Sequence, residues 1–143
     1  DHSPAADEEK DNESRDIWQA WGGLNAIQFF LPMMFDMVVH QKKLSPSLIA
    51  RVMDYNPAKV FGFYGQKGAF EIGFDADAVI LDPEKPWKVE QEKLFTKGHV
   101  TCFDGLEGKG APTCTVIRGR VVAKDGMYIE EAKGFGKYVT PVK

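Results

Sequence analysis

Residues 56–82 read NPAKVFGFYGQKGAFEIGFDADAVILD, and the hydrophobic pattern changes from helical to extended within this stretch. The pair Asn56-Pro57 is typical of a helix start, and Gly62 is typical of a helix end. After Gly65 the continuous apolar run Ala78–Leu81 predicts a strand that is buried on both faces. The sequence therefore predicts a helical part followed by a β-rich part.

Two more helices are predicted before this change of pattern. Apolar residues recur at helical spacing over residues 24–38, and Pro32 inside this run predicts that the helix starts or bends near Phe30, because proline has no N–H to donate. Ser45-Pro46 is typical of an N-cap followed by proline in the first turn. It predicts a second helix that ends at about Tyr55.

The β-rich part contains several short strand candidates. Gly119 lies between two of them and predicts a hairpin, and Asp125-Gly126 predicts the next turn. Residues 98–112, with five glycines or prolines, predict a long connection. We place a domain boundary at the change of pattern, so that residues 1–64 form one unit and residues 65–143 form the other. The predicted strands are Ala69–Ile72, Ala78–Leu81, Thr115–Arg118, Arg120–Lys124 and Met127–Ile129.

The composition is that of a globular chain and argues against several classes of protein. With 143 residues the chain is too short for a complete (β/α)8 barrel, which needs roughly 200–250 residues. A net charge of -3, from 18 basic and 21 acidic residues, does not favour a nucleic-acid partner. No apolar run reaches the roughly 18–20 residues of a membrane span. Residues 1–16 are polar and acidic, which predicts an exposed loop rather than a signal peptide.

The cysteine content indicates a reducing compartment. Only Cys102 and Cys114 are present, which is typical of reduced thiols in a cytosolic protein. We therefore expect a soluble, unsecreted, cytoplasmic protein. The first residue is Asp1 rather than methionine, and from this we expect a processed or trimmed chain, or a fragment.

The sequence offers few side-chain clusters that are typical of active sites. The three histidines, His2, His40 and His99, lie far apart, and none of the patterns His-x-His, HExxH and CxxC is present. The serines lack the G-x-S-x-G setting of a hydrolase nucleophile. What remains is the segment Asp1-His2-Ser3-Pro4, in which a carboxylate is followed directly by an imidazole.

This segment and a series of later motifs resemble the C-terminal part of the cyclic amidohydrolases, the family of allantoinase, hydantoinase, dihydropyrimidinase and dihydroorotase. The motifs are most similar to those of allantoinase, and they cover almost the whole chain in order. They are Asp1-His2-Ser3-Pro4, Ala20-Trp21-Gly22-Gly23-Leu24, Gln28-Phe29, Leu31-Pro32, Asn56-Pro57-Ala58-Lys59, Phe61-Gly62, Lys67-Gly68, Gly73-Phe74-Asp75-Ala76-Asp77, Asp82-Pro83, Val116-Ile117-Arg118-Gly119, Val121-Val122 and Gly134-Phe135-Gly136-Lys137-Tyr138-Val139.

The resemblance implies an α/β fold that is incomplete in this chain. Residues 1–64 would hold the last strand-loop and the final helices of a (β/α)8 amidohydrolase barrel, and residues 65–143 would hold the C-terminal part of a small β-sandwich. Such a chain would leave the apolar faces of Phe29–Val39 and Ala78–Leu81 uncovered, and large apolar patches drive self-association. We therefore expect a homo-oligomer, or a chain that is ordered only beside the missing segment.

The resemblance also implies roles for four residues. Asp1 would ligate one metal of a binuclear site of zinc or another divalent ion, and would carry a proton from the attacking hydroxide to the leaving nitrogen. His2 would lie in the shell around that ligand, with a packed loop histidine as the alternative. Gly22 and Gly23 would contact the ring amide of the substrate through their backbone, with a plain turn as the alternative.

The reaction implied for the parent protein is the opening of a cyclic amide or ureide ring by a metal-bound hydroxide, so its partner is a small molecule. Trp21-Gly22-Gly23 and Gln28 favour allantoin over hydantoin or a dihydropyrimidine, whereas Ala5 departs from the cysteine or histidine of relatives. The family's other metal ligands are absent, so the chain alone is expected to be inactive and to retain no metal. Two alternatives stay open, a non-catalytic scaffold related to dihydropyrimidinase and a free-standing β-rich module with a helical arm.

Overall fold

The structure is a computed structural model that describes residues 1–10 and 16–142. The helices are α1 (Asp7–Lys10), α2 (Phe30–Phe35), α3 (Ser47–Ala50) and α4 (Asn56–Val60), with π-helical turns over Asp36–Gln41 and Arg51–Tyr55. The strands are β1 (Ala78–Lys88), β2 (Glu107–Ile117), β3 (Arg120–Lys124) and β4 (Met127–Tyr128), and short 3-10 helices cover Gln91–Lys93 and Glu130–Ala132. Among the described residues, no helix combines the length and the apolar character that a membrane span requires.

Helix α2 begins at Phe30, as the position of Pro32 predicts. Proline is tolerated in the first turn, where its missing N–H would have no partner inside the helix. At the other end, the N–H of Lys42 donates to Met37 O at 3.0 Å. This bond spans five residues instead of four, so the last turn has the wider winding of a π-helix.

Helix α4 begins at Asn56 and ends at Val60, as Asn56-Pro57 and Gly62 predict, although no break separates it from the helical turns before it. The helical backbone runs on through residues 47–60, and Tyr55 and Asn56 have φ angles of -63° and -65°. Pro57 has no N–H to donate, and the helix accommodates it just after the backbone has widened into the π-helical turns. Helices α3 and α4 therefore act as one element.

The segment 1–16 is predicted to be a loop, but Asp7–Lys10 form the single turn α1. The carboxylate of Glu9 accepts the N–H of Ala6 at 3.0 Å and so caps the start of this turn. The prediction is wrong for these four residues, because the Glu9 carboxylate accepts an N–H group that has no backbone acceptor at the start of a helix. The part of the prediction that falls on residues 11–15 lies outside the described residues.

The sheet has the strand order β1-β2-β3-β4, and each pair of neighbours is antiparallel. Strands β2 and β3 form the predicted hairpin, which closes at Arg118 and Gly119 with φ angles of 46° and 76°. Two consecutive positive φ angles define the two-residue turn whose twist matches that of the strands. Asp125-Gly126 makes the same kind of turn between β3 and β4, with φ angles of 49° and 83°, so both predicted turns are confirmed.

The predicted strand Ala69–Ile72 is wrong. The segment pairs with none of the four strands, and the side chains of Phe70 and Ile72 are exposed. A turn follows directly, in which the N–H of Phe74 donates to Glu71 O at 3.1 Å. A short apolar run forms a strand only where a neighbouring strand supplies partners for its backbone groups.

Strand β1 is longer and more exposed than predicted. It contains Ala78–Leu81 but extends to Lys88, and Val79 and Ile80 keep 47% and 56% of their surface exposed. The predicted burial of both faces is therefore wrong in this chain, because these two successive residues point to opposite faces and the described residues leave both of them partly open. The expected uncovered apolar face at this strand is present.

Strand β2 occupies the second half of residues 98–112, where a long connection was predicted, so that prediction is wrong from Glu107 onward. Gly110 has a φ of 95°, and a β-carbon there would overlap the ring of Phe35. Glycine at this position therefore lets helix α2 pack directly on the strand. Pro112 lies beside a shift in the strand register, where the sheet tolerates a residue without an N–H.

The core is small and is divided into two clusters. The buried residues are Phe29, Val89 and Leu94 in one cluster, and Phe35, Val38 and Ile49 in the other. The chain exposes 10207 Å², whereas a compact monomer of this mass, 16.0 kDa, exposes about 7,400 Å². The excess of roughly 2,800 Å² indicates that faces of the helices and strands lack cover within this chain.

Candidate functional site

The N-terminal residues pair with the chain that follows Trp21–Gly23, the segment that we call the glycine loop. The N–H of Leu24 donates to Asp1 O at 2.8 Å, and the N–H of Ser3 donates to Leu24 O at 3.1 Å. A short parallel bridge between His2 and Leu24 results. The four residues singled out in the sequence therefore lie together, since Asp1 and His2 meet the loop that contains both glycines.

Gly23 contacts the side chain of Asp1 so closely that a larger residue does not fit. Its φ angle is 83°, and a β-carbon at this position would lie 2.9 Å from Asp1 Oδ2 and 2.5 Å from Ser3 Cβ. Gly22, by contrast, is exposed, and a β-carbon there would meet nothing within 4 Å. The glycine loop thus packs against Asp1 at Gly23 and stays open at Gly22.

The carboxylate of Asp1 is exposed, and within the described residues it has neither a hydrogen-bond partner nor an ion-pair partner. An unpaired carboxylate keeps its oxygens available as ligands for a divalent metal ion. In the same part of the chain, no group of three or more His, Cys, Asp or Glu side chains could hold a metal. The chain therefore supplies one oxygen donor here, which fits one ligand of a larger site.

The glycine loop also presents backbone donors. The N–H groups of Gly22 and Gly23 have no acceptor among residues 1–10 and 16–142, whereas the N–H of Trp21 donates to Glu9 O at 2.9 Å. Free backbone N–H groups on an exposed loop can donate to a carbonyl oxygen of a ligand. Because Gly23 packs against Asp1, an unpaired carboxylate lies beside a loop that has two unpaired backbone N–H groups.

His2 supports the chain that follows the glycine loop. Its Nδ1 accepts the N–H groups of Ala26 and Ile27, both at 3.3 Å. Nδ1 must therefore carry a lone pair, which assigns the ring hydrogen of the neutral imidazole to Nε2. These contacts orient the neighbouring loop, and the role of His2 toward a metal ligand stays a prediction.

Lys10 belongs to this site although the sequence does not indicate it. Its Nζ donates to the carbonyl oxygens of Trp21, Gly22 and Gly23 at 3.1, 3.1 and 2.6 Å. The indole N–H of Trp21 donates to Ser3 Oγ at 2.8 Å. A lysine in an acidic segment is normally a solvated charge, so the sequence carries no sign that Lys10 folds back onto the loop.

Asn25 anchors the segment that follows the glycine loop, and the sequence patterns do not indicate this role either. It is 4% exposed, and its Nδ2 donates to Thr96 Oγ1 at 2.9 Å and to Gly98 O at 2.7 Å. The hydroxyl of Thr101 donates to Asn25 O at 2.9 Å. These bonds tie the segment after the glycine loop to the connection between β1 and β2.

A separate cleft of about 750 Å³ lies between helices α3 and α4 and strands β1 and β2. Its lining is mostly apolar, and it contains none of the four residues with an expected role in the reaction, Asp1, His2, Gly22 and Gly23. Asp54 lies on its wall, where burial raises the pKa of the carboxyl above its ordinary value. Asp54 forms no salt bridge among the described residues. With its mostly apolar lining, this cleft has the character of an uncovered packing surface.

One edge of this cleft carries a cluster of three charges. Lys67 Nζ lies 2.8 Å from Asp75 Oδ2 and also contacts the carboxylate of Asp77. Partial burial alone would lower the pKa of Lys67, but the bonds to the two carboxylates outweigh it and raise that pKa. The bond from Lys67 in turn lowers the pKa of Asp75. The N–H of Arg118 donates to Asp77 Oδ1 at 2.8 Å, so the cluster ties this segment to the hairpin turn.

A sequence profile of the amidohydrolase family matches residues 11–122. The chain belongs to the amidohydrolase family. The L-hydantoinase of Paenarthrobacter aurescens is 39% identical over 140 residues, which are 98% of this chain and 30% of the relative. The dihydroorotase of Methanothermobacter thermautotrophicus is 32% identical over 97% of this chain and 30% of the relative. The allantoinase of Rubrobacter xylanophilus is 33% identical over 99% of this chain and 30% of the relative.

Solved structures agree with this assignment. The L-hydantoinase of Arthrobacter aurescens matches 80% of this amidohydrolase chain and 26% of its own, with a TM-score of 0.76 and 38% identity. The D-hydantoinase of Thermus sp. matches 90% of this chain and 28% of its own, with a TM-score of 0.82 and 26% identity. The chain spans about 30% of the length of the curated relatives it matches.

These comparisons confirm the resemblance drawn from the motifs. The antiparallel sheet and the few helices are consistent with part of an amidohydrolase fold, because the matched structures are covered only in part. The (β/α)8 barrel, the β-sandwich and the boundary between residues 64 and 65 stay predictions. The assignment of Asp1, His2, Gly22 and Gly23 also stays a prediction, to which the contacts described above now give a geometry.

Proposed function

We propose that the whole protein to which this amidohydrolase chain belongs hydrolyses a C–N bond of a cyclic amide or ureide ring. The observation that carries the proposal is the packing of Gly23 against Asp1, which brings a free carboxylate beside a loop with two unpaired backbone N–H donors. Ring opening needs a group that accepts and returns a proton, and donors that hold a ring carbonyl. The relatives named L-hydantoinase, allantoinase and dihydropyrimidinase support the same chemistry.

Asp1 is the proposed proton carrier and the proposed ligand that this chain contributes to a binuclear zinc or other divalent metal site. The metals, when bound, would polarise the ring carbonyl and lower the pKa of a water molecule. The carboxylate of Asp1 accepts a proton from the attacking water and then delivers it to the ring nitrogen as the C–N bond breaks. Its exposure and its lack of a partner among the described residues support both roles.

Gly22 and Gly23 are the proposed substrate contacts. Their N–H groups would donate to a carbonyl oxygen of the ring, and the absence of a side chain at Gly22 lets the ring approach the backbone. His2 holds the next turn of chain through Ala26 and Ile27, so it positions the loop rather than touching the ring. The contact of Gly23 with Asp1 places these donors next to the proton carrier.

We propose allantoin as the first substrate and hydantoin or a dihydropyrimidine as the second. Allantoin is itself a hydantoin ring with a ureido substituent, so relatives named allantoinase and L-hydantoinase both agree with a five-membered ring. Trp21-Gly22-Gly23 is the sequence feature that favours allantoin. Gln28 supports the fold instead, because its Oε1 accepts the N–H of Phe95 at 2.8 Å and its Nε2 donates to Lys93 O at 3.2 Å.

A non-catalytic scaffold is the second candidate, and a free-standing β-rich module is the third. The free carboxylate of Asp1 favours the enzyme over the scaffold, since a scaffold does not need an unpaired carboxylate packed against a glycine that admits no side chain. We also propose that the protein works as a homo-oligomer in the reducing cytoplasm. The excess exposed surface and the two free cysteines, Cys102 and Cys114, support this.

The test is a ring-opening assay of the whole protein, reconstituted with zinc, against allantoin, hydantoin, dihydrouracil and dihydroorotate. We expect turnover of at least one ring, with the highest kcat/KM for allantoin. Turnover of hydantoin alone would contradict the substrate order and leave the reaction class intact. A whole protein that opens none of the four rings would support the scaffold.

A further inference from the structure

The side chain of Lys10 makes an unusual set of contacts at the glycine loop. Its ammonium has three N–H donors, and it meets three consecutive carbonyl oxygens, those of Trp21, Gly22 and Gly23, at 2.6 to 3.1 Å. Each of these bonds has a charged donor, and such bonds are stronger than bonds between neutral groups. One side chain thus binds every carbonyl of the loop.

The remaining polar groups of the glycine loop divide into two classes. The N–H of Trp21 is bound by Glu9 O at 2.9 Å, so both residues at the end of helix α1 hold the loop. The N–H groups of Gly22 and Gly23 have no acceptor in the described part of the chain. These two N–H groups are therefore the unpaired backbone donors that the loop offers to another molecule.

A loop with two successive glycines needs such a support. Glycine has access to more backbone conformations than any other residue, so an unsupported Gly22-Gly23 pair would sample many orientations of its N–H groups. Gly23 is also held at a φ angle of 83° against Asp1. Fixing the carbonyl of a peptide unit fixes the direction of the N–H in the same plane.

We propose that Lys10 is a positioning residue that holds the glycine loop in the orientation in which the N–H groups of Gly22 and Gly23 face the substrate. The proposal rests on the proposed function, in which those N–H groups bind a ring carbonyl. Lys10 itself touches neither the ring nor Asp1. It acts through the backbone of the loop.

The test uses the whole protein with Lys10→Met, which keeps much of the side-chain volume but removes the three donors, and Lys10→Arg, which keeps the charge. Lys42→Met is the matched control, because the side chain of Lys42 is exposed and has no contact among the described residues. Two readouts are measured for each variant. They are hydrogen exchange of the amides of Trp21 and Leu24, and kcat and KM for ring opening.

In Lys10→Met we expect hydrogen exchange of both amides to be at least about tenfold faster. We also expect KM to rise about tenfold or more while kcat changes by less than about threefold, because binding of the ring is lost in both the ground state and the transition state. Lys10→Arg should restore part of both effects, and Lys42→Met should match the wild type. A loss that is only structural would instead lower the active fraction, and with it the apparent kcat, at unchanged KM.

Wild-type exchange at Trp21 and Leu24 in Lys10→Met, together with wild-type KM, would overturn the proposal. If Lys10→Met fails to fold, Lys10→Gln takes its place, with the same expected direction and the same contradicting result. The two proposals fail separately. A wild-type protein that opens no ring contradicts the proposed function, whereas the hydrogen-exchange readout still decides whether Lys10 holds the loop.

Discussion

Gly23 lies directly against the carboxylate of Asp1, and a β-carbon at Gly23 would come within 2.9 Å of Asp1 Oδ2. The two residues are 22 positions apart in the sequence, and the bridge between His2 and Leu24 brings them together. The position of the carboxylate therefore depends on the absence of a side chain at Gly23.

Substitution of Gly23 tests this relationship. We expect Gly23→Ala to reduce kcat/KM of the whole protein at least about 100-fold, because a displacement of about 1 Å in a reacting group costs that much. Gly126→Ala is the matched control, since Gly126 has the same φ angle of 83°, a β-carbon there meets nothing within 4 Å, and the residue lies outside the glycine loop, so its effect should stay below about tenfold. Equal kinetics of Gly23→Ala and the wild type would show that Asp1 does not depend on this contact.

The packing of helix α2 on strand β2 is tested at Gly110. A β-carbon there would overlap the ring of Phe35, and the φ angle of 95° adds backbone strain. We expect Gly110→Ala to lower the free energy of unfolding by about 3 kcal/mol or more. Gly119→Ala has a φ of 76° with open space around it, so it should cost only the strain, about 1–2 kcal/mol. Chemical denaturation of both variants measures the difference, and equal losses would contradict the packing.

The Lys67 cluster predicts a defined pH window for stability. The pKa of Asp75 is lowered by the bond from Lys67, so its stabilising contribution is present above the carboxyl's ordinary value of 3.8 and is lost as the pH falls through the lowered value. The pKa of Lys67 is raised, so its contribution is present below its ordinary value of 10.5 and is lost as the pH rises through the raised value.

Denaturation midpoints of the whole protein at pH 3, 7 and 10 check this window. We expect Lys67→Met to be less stable than the wild type at pH 7, and we expect that difference to become smaller at pH 3, below the ordinary carboxyl value of 3.8. Lys133→Met removes an exposed pair with Glu130, at 3.2 Å, and should change stability little at any of these values. The same deficit of Lys67→Met at pH 3 and pH 7 would exclude the ionic contribution of the cluster.

The uncovered surface predicts that the isolated 143 residues associate. The exposed area exceeds that of a compact monomer of this mass by roughly 2,800 Å², which is within the range buried in obligate interfaces. Exposed apolar residues include Val79 and Ile80 on β1 and Val60 and Phe61 at the end of α4. Sedimentation should therefore show oligomers, and near-UV circular dichroism should be weak at low concentration. A monodisperse monomer that unfolds cooperatively would show that these residues form a self-sufficient domain.

Local sequence patterns predicted the elements that depend on local physics. Pro32 located the start of α2, and Gly119 and Asp125-Gly126 located both hairpin turns, because proline fixes its own φ angle and glycine permits the positive φ angle of a tight turn. Ala69–Ile72 failed because its apolar run has no neighbouring strand, and a strand depends on such a partner. The glycines within β2 were interpreted as part of a connection, since the packing of Gly110 against Phe35 joins residues that lie far apart in the chain.

The residues of the candidate site likewise fall into those that sequence motifs indicated and those that they did not. Asp1, His2, Gly22 and Gly23 were singled out from motifs, and the structure brings them together through the bridge to Leu24. Lys10 and Asn25 were missed because their importance lies in which backbone groups they reach, and residue type alone does not reveal this. Support of a loop by distant side chains is a property of the folded chain.

The measurement that tests the central claim most directly is kcat for ring opening by the zinc-reconstituted whole protein and by its Asp1→Asn variant, on allantoin and on hydantoin. We predict turnover of at least one ring by the wild type and a kcat lower by roughly 10³-fold or more in Asp1→Asn, because the variant loses both an oxygen ligand and the proton carrier. Near-normal kcat in Asp1→Asn, or no turnover of either ring by the wild type, would contradict the account.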